Sequence, residues 1–101
     1  MVEFHGIEIP EEKLEEICRR YQVKELSVFG SVLREDFGKR SDIDVLVEFQ
    51  EAAATSLLGY VRLERELSSL LRRRVDLVSK VGLKPLIRDH VLRQARVLYA
   101  A

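Results

Sequence analysis

Apolar positions along the chain recur with two periods, and the switches between them mark out the elements. Leu14, Ile17, Cys18 and Tyr21 stand at i, i+3, i+4 and i+7, the stripe of a helix buried on one side. Pro10 opens that helix, where its missing N–H does no harm. Leu26 to Phe29 is a short apolar run that reads as a strand and stops at Gly30-Ser31. Val32 to Arg40 is polar around Gly38 and predicts a helical turn followed by a loop. Period two then takes over. Ile43, Val45, Val47 and Phe49 alternate with Asp42, Asp44, Leu46 and Glu48, a second strand with the first set turned to the core. Thr55 can cap a long helix reaching about Arg72, with Tyr60, Leu63, Leu67, Leu70 and Leu71 as its stripe. Val75 to Val78 reads as a third strand. From Leu83 a last helix is predicted toward Tyr99, with Leu83, Ile87, Val91, Ala95 and Leu98 on one side. This order predicts an α+β fold, a small mixed sheet with helices packed over it.

Composition narrows the class without naming a chemistry. A chain of 101 residues suits one domain, residues 1–101, burying roughly 60–65% of the surface its unfolded form exposes. With 47% apolar and 34% charged residues it is a globular composition, not a disordered one. No apolar run is long enough for a transmembrane helix, and MVEFHGIEIPEE is too acidic for a signal peptide. The lone Cys18 cannot form an internal disulfide, fits a reducing cytoplasm and reads as a core thiol. His5 and His90 have no Cys or His at zinc-ligand spacing. Seventeen acidic and seventeen basic side chains cancel. That balance argues against stable nucleic-acid binding, which rests on basic surfaces, and suits a permanent protein partner.

The chemistry is concentrated in Val28-Phe29-Gly30-Ser31, ten further residues, and Asp42-Ile43-Asp44. Strand side chains alternate, so Asp42 and Asp44 are expected on one face, roughly 6–7 Å apart along the strand. Two carboxylates that close repel unless a cation lies between them. Mg²⁺ accepts hard oxygen ligands while keeping positions for phosphate and water, and a pair of such ions can clamp a phosphoryl displacement. Glycine lets backbone approach a phosphate, and the Ser31 hydroxyl adds a donor. The segment between them reverses the chain, which sets the end of the first strand beside the start of the second. Asp76, alone between Val75 and Leu77, serves no structural need of an apolar strand. A parallel crossover through the long helix would bring it beside Asp42 and Asp44, able to bind the metal and take an acceptor proton.

Each feature also has an ordinary reading. Ser41-Asp42 can be turn chemistry at a strand entry, and Asp76 can pair on the surface with Arg72, Arg73 or Arg74. The arginine run itself can complement a helix C-terminus. Arg34 and Arg40 can reach phosphates or sit solvated in the loop, and the basic Gly38-Lys39-Arg40 stretch carries no strong reading.

Taken together, Gly30-Ser31, ten residues, Asp42-x-Asp44 and the later Asp76 resemble the DNA polymerase β-type nucleotidyltransferase signature. FGSVLREDF and SDIDVLVEF in a chain this short resemble, more narrowly, the minimal nucleotidyltransferase (MNT) antitoxins of HEPN–MNT pairs. The resemblance extends to LKPLIRDHVLRQA. It implies a polymerase β-like fold in which Asp42, Asp44 and Asp76 are catalytic and bind Mg²⁺, while Gly30 and Ser31 hold the nucleotide. It also implies ATP as substrate and a HEPN-domain ribonuclease toxin as partner in a hetero-oligomer, neutralised by adenylylation of a tyrosine. Two other functions fit the residues: an antitoxin that blocks its toxin by binding alone, and nucleotidyl transfer to a small molecule or an RNA end.

Overall fold

A computed structural model describes residues 2–4, 7–33, 38, 41–51, 53 and 56–101. In chain order the elements are β1 (Val2–Phe4), β2 (Ile7–Ile9), α1 (Glu11–Arg20), β3 (Val23–Phe29), a 3₁₀ turn (Gly30–Leu33) and β4 (Ile43–Phe49). Then follow α2 (Leu57–Leu71), β5 (Val75–Ser79), a second 3₁₀ turn (Lys80–Gly82), α3 (Pro85–Gln94) and β6 (Arg96–Ala100). Strands β1 and β2 form an antiparallel hairpin that the sequence pattern did not predict. The main sheet has the order β5-β4-β3-β6. Its β3–β4 and β3–β6 pairings are antiparallel and β4–β5 is parallel, which makes it the expected mixed sheet.

The two faces of the sheet are covered differently. Ile43, Val45, Val47, Val75 and Leu77 join Leu26 and Val28 on one face, under Leu14, Ile17 and Cys18 of α1 and Leu63, Leu67 and Leu71 of α2. The stripes predicted for the first two helices and the predicted strand face are therefore the main core. Burial pushes the Cys18 thiol up to about 12, so it is a neutral core group at ordinary pH. The other face is also covered. Leu46 is 5% exposed because Leu83 and Val91 close over it with Phe29 and Val78.

Several boundaries differ from expectation. Ser56 caps α2, accepting from the Gly59 N–H at 3.0 Å, whereas the expected cap Thr55 lies outside the described residues. The first sheet strand begins at Val23 rather than Leu26. The expected last helix to Tyr99 is corrected to a shorter helix and a strand. Pro85 starts α3, Ala95 leaves helical geometry at φ −60, ψ 140, and Arg96–Ala100 pairs with β3. The gain is a partner for the free edge of β3, a non-local interaction that outweighs the helical spacing of Leu83 to Leu98.

Strand β5 is the opposite edge, and α2 satisfies it with side chains. Ser68 Oγ accepts the Val75 N–H at 3.1 Å and Glu64 Oε2 the Leu77 N–H at 3.0 Å. The Tyr60 hydroxyl donates to the Leu77 carbonyl at 2.6 Å. Positions 60, 64 and 68 thus form one helical row beside the core row 63, 67, 71. That row fixes the strand carrying Asp76.

Candidate active site

Register brings two of the predicted residues, Asp44 and Asp76, side by side. Phe29 of β3 pairs with Asp44 of β4, and Asp44 pairs in turn with Asp76 of β5. Directly paired residues project to the same face, so two carboxylates stand side by side on strands about 4.8 Å apart. Their flanking neighbours Ile43 and Val75 are buried at 2% and 3% exposure, which pins both strand starts. Asp42 precedes β4 by one position and is exposed, Asp44 is half-buried, and Asp76 is exposed. Charge at Asp76 is felt locally: burial raises the Tyr60 phenol, and Glu64 and then Asp76 raise it further.

Gly30 meets Asp44 from the other side. Its φ is +72°, a conformation that side chains disfavour, and a Cβ there would collide with Asp44 Oδ2 and lie 3.3 Å from Cγ. Only glycine leaves room for that carboxylate against the backbone. Ser31 follows within the 3₁₀ turn, and its side chain lies outside the described residues. The loop residues Arg34, Lys39 and Arg40 lie outside them as well.

The entry to Asp42 is tied down by a residue whose role the arginine run did not disclose. Arg73 Nη2 donates to the Gly38 carbonyl at 2.6 Å and to the Ser41 carbonyl at 2.7 Å. Gly38 N–H donates to Ser41 Oγ at 3.1 Å, and the Ile43 N–H donates to the Arg74 carbonyl at 2.9 Å. Asp42 is therefore bracketed by fixed backbone on both sides.

The donor set suits Mg²⁺: carboxylate oxygens are hard ligands, and Asp44 with its Gly30 cradle leaves an oxygen held at the sheet edge. Among the described residues no three His, Cys, Asp or Glu side chains close into a metal cage. Beside Gly30, on the side away from Asp76, lies a cavity of about 480 Å³ lined by Phe29, Leu33, Ile87, His90, Val91, Gln94 and Arg96. Sequence spacing gave no sign of it, because α3, β3 and the 3₁₀ turn build it jointly. Among the described residues no helix is long and apolar enough to cross a membrane.

Known proteins share the family and the fold. Residues 11–98 match the family described as nucleotidyltransferase domain. The protein adenylyltransferase MntA of Thermococcus cleftensis is 46% identical over 79 residues, 78% of each chain. A solved structure of a minimal nucleotidyltransferase is 42% identical with a TM-score of 0.71, covering 85% of this chain and 86% of that one. The fold is shared with a chain from the complex of a tri-AMPylated Shewanella oneidensis HEPN toxin with MNT antitoxin. There the identity is 24% and the TM-score 0.63, over 90% of this chain and 70% of that one.

Proposed function

Because this chain belongs to the nucleotidyltransferase domain family, which it matches from residue 11 to residue 98, we propose that it is an antitoxin that transfers AMP from ATP to a tyrosine hydroxyl of a HEPN-domain ribonuclease toxin. The observation that carries this reading is the row Gly30, Asp44, Asp76 across three adjacent elements. A glycine whose missing side chain leaves room for the Asp44 carboxylate stands beside two paired carboxylates that nothing in the core requires. The protein acceptor is supported by the name of the Thermococcus relative and by the AMPylated toxin in the Shewanella complex.

In this reading Gly30 and Ser31 hold the triphosphate, and Asp42, Asp44 and Asp76 would hold Mg²⁺. When bound, Mg²⁺ supplies positive charge that neutralises the carboxylates and the phosphates. Asp76 accepts the proton of the acceptor hydroxyl. The hydroxyl oxygen then forms a bond to the α-phosphorus, and the bond from that phosphorus to the bridging oxygen of the β-phosphate breaks. Pyrophosphate leaves with the electron pair, and the acceptor keeps AMP. The Gly30–Asp44 packing and the Arg73 clamp keep these groups oriented before substrate arrives.

The test is incubation with α-labelled ATP, Mg²⁺ and the HEPN protein encoded beside the gene. Label is expected on the toxin, and replacing its acceptor tyrosine by phenylalanine should remove it. Folded protein that leaves the toxin unlabelled refutes the transfer. Should Asp44→Asn with Asp76→Asn still protect cells fully, neutralisation proceeds by binding alone.

A further inference from the structure

The cavity beside Gly30 lies on the acid-bearing side of the sheet and touches the candidate phosphate cradle itself. Another cavity, of about 450 Å³, lies between α1 and α2 on the far face, lined by Lys13, Glu16, Arg20 and Glu66. It is spanned by a local ion pair, Arg20 with Glu66 at 2.6 Å, and the Tyr21 hydroxyl also donates to Glu66. Two of its acids are thus engaged by Arg20, which also bonds Glu16 at 3.3 Å. The cavity by Gly30 differs: apolar walls from Phe29, Leu33, Ile87 and Val91 surround a few polar groups, the usual make-up of a small-molecule site.

On the reading of this chain as an ATP-dependent transferase, we propose that this cavity receives the nucleoside of the donor triphosphate and that Gln94 reads its base as adenine. Position comes first. A nucleotide whose phosphates reach Gly30 must place its ribose and base within a few ångströms, and about 480 Å³ accommodates both. Chemistry agrees. Apolar Phe29 and Leu33 suit a base face, and His90 adds a second ring to the same lining. Gln94 offers one donor and one acceptor on a single carboxamide, complementary to the amino donor and ring-nitrogen acceptor of adenine. Guanine presents two acceptors on the corresponding edge, which a carboxamide satisfies only in part. Arg96, at the start of β6, also lines the cavity.

Titration calorimetry in Mg²⁺ with AMP-PNP, GMP-PNP and tripolyphosphate separates the parts. Wild type is expected to bind AMP-PNP at least about tenfold more tightly than GMP-PNP, the discrimination a bidentate pair supplies. Gln94→Ala should bring that ratio close to one and leave tripolyphosphate affinity unchanged. Ile87→Trp, which fills the cavity, should weaken both nucleotides about equally and again spare tripolyphosphate. Gln94 and Ile87 are exposed, Ile87 at 48%, so both variants should melt like wild type. Variants that bind both nucleotides as wild type does overturn the cavity while leaving the transferase reading intact. Wild type that binds neither nucleotide nor tripolyphosphate overturns both.

Discussion

Two constraints meet at Gly30, and they can be separated. Its φ of +72° penalises any side chain by about 1 kcal/mol, and the first atom of that side chain would strike Asp44. Gly30→Ala should therefore lower stability by roughly 1–3 kcal/mol in urea melts, since strain and displacement add. Its effect on nucleotide transfer should exceed that loss, because Asp44 must move. A variant that melts early but transfers at the wild-type rate would show that Asp44 is not needed where it stands. Gly30, Asp44 and Asp76 were legible in the sequence, because a fixed spacing and a carboxylate in an apolar strand leave a local trace. Arg73 was not. Its two bonds reach carbonyls 35 and 32 residues away, and nothing periodic marks such a contact. Arg73→Ala should raise the Mg²⁺ concentration giving half-maximal transfer more than it lowers the melting temperature. Arg73→Lys should recover part of it, since one ammonium can donate to both carbonyls as Nη2 does, but from a differently shaped side chain.

Among the elements, α2 is asked to do two things, and its sequence shows one of them. Leu63, Leu67 and Leu71 announce a buried row. Tyr60, Glu64 and Ser68 look like the solvated side of the same helix until β5 is placed beside them. Removing the Glu64 carboxylate leaves the Leu77 N–H without its acceptor on a half-covered strand edge. Glu64→Ala should then cost about 1–3 kcal/mol, with Glu64→Gln keeping most of the stability because its amide oxygen can still accept. Hydrogen exchange at Leu77 is the direct readout; equal protection in wild type and Glu64→Ala would dismiss the bond. The C-terminal end was illegible for the complementary reason. Leu83, Ile87, Val91, Ala95 and Leu98 keep helical spacing, yet Ile87 is 48% exposed and Leu98 packs from a strand. Periodicity reports which residues could share a face, whereas the vacant edge of β3 decides what conformation they take. The β1–β2 hairpin has three residues per strand, too short for a period to show.

Charge matters at the scale of the whole molecule because the formal total is zero while the acids are gathered. Seventeen positive side chains offset seventeen negative ones over the chain. At the sheet edge, however, Asp44 and Asp76 are register partners and Asp42 is two positions away. A triphosphate brought to Gly30 adds further negative charge to the same corner. Global neutrality does little there, since charges more than about 10 Å away are screened at ordinary ionic strength. Local repulsion should therefore control nucleotide binding, and a divalent cation should relieve it. AMP-PNP affinity is expected to fall at least about tenfold when EDTA replaces Mg²⁺, corresponding to about 1.4 kcal/mol or more. Folding should not follow, because Asp42 and Asp76 are exposed and the core closes without them. Thermal melts with and without Mg²⁺ should thus agree when nucleotide is absent. The variant Asp44→Asn with Asp76→Asn provides the matching control. Losing two negative charges, it should bind AMP-PNP in EDTA better than wild type does, while failing to gain from added Mg²⁺. Calorimetry showing wild-type binding unchanged by EDTA would remove the cation, and with it the reason for three acids at one edge.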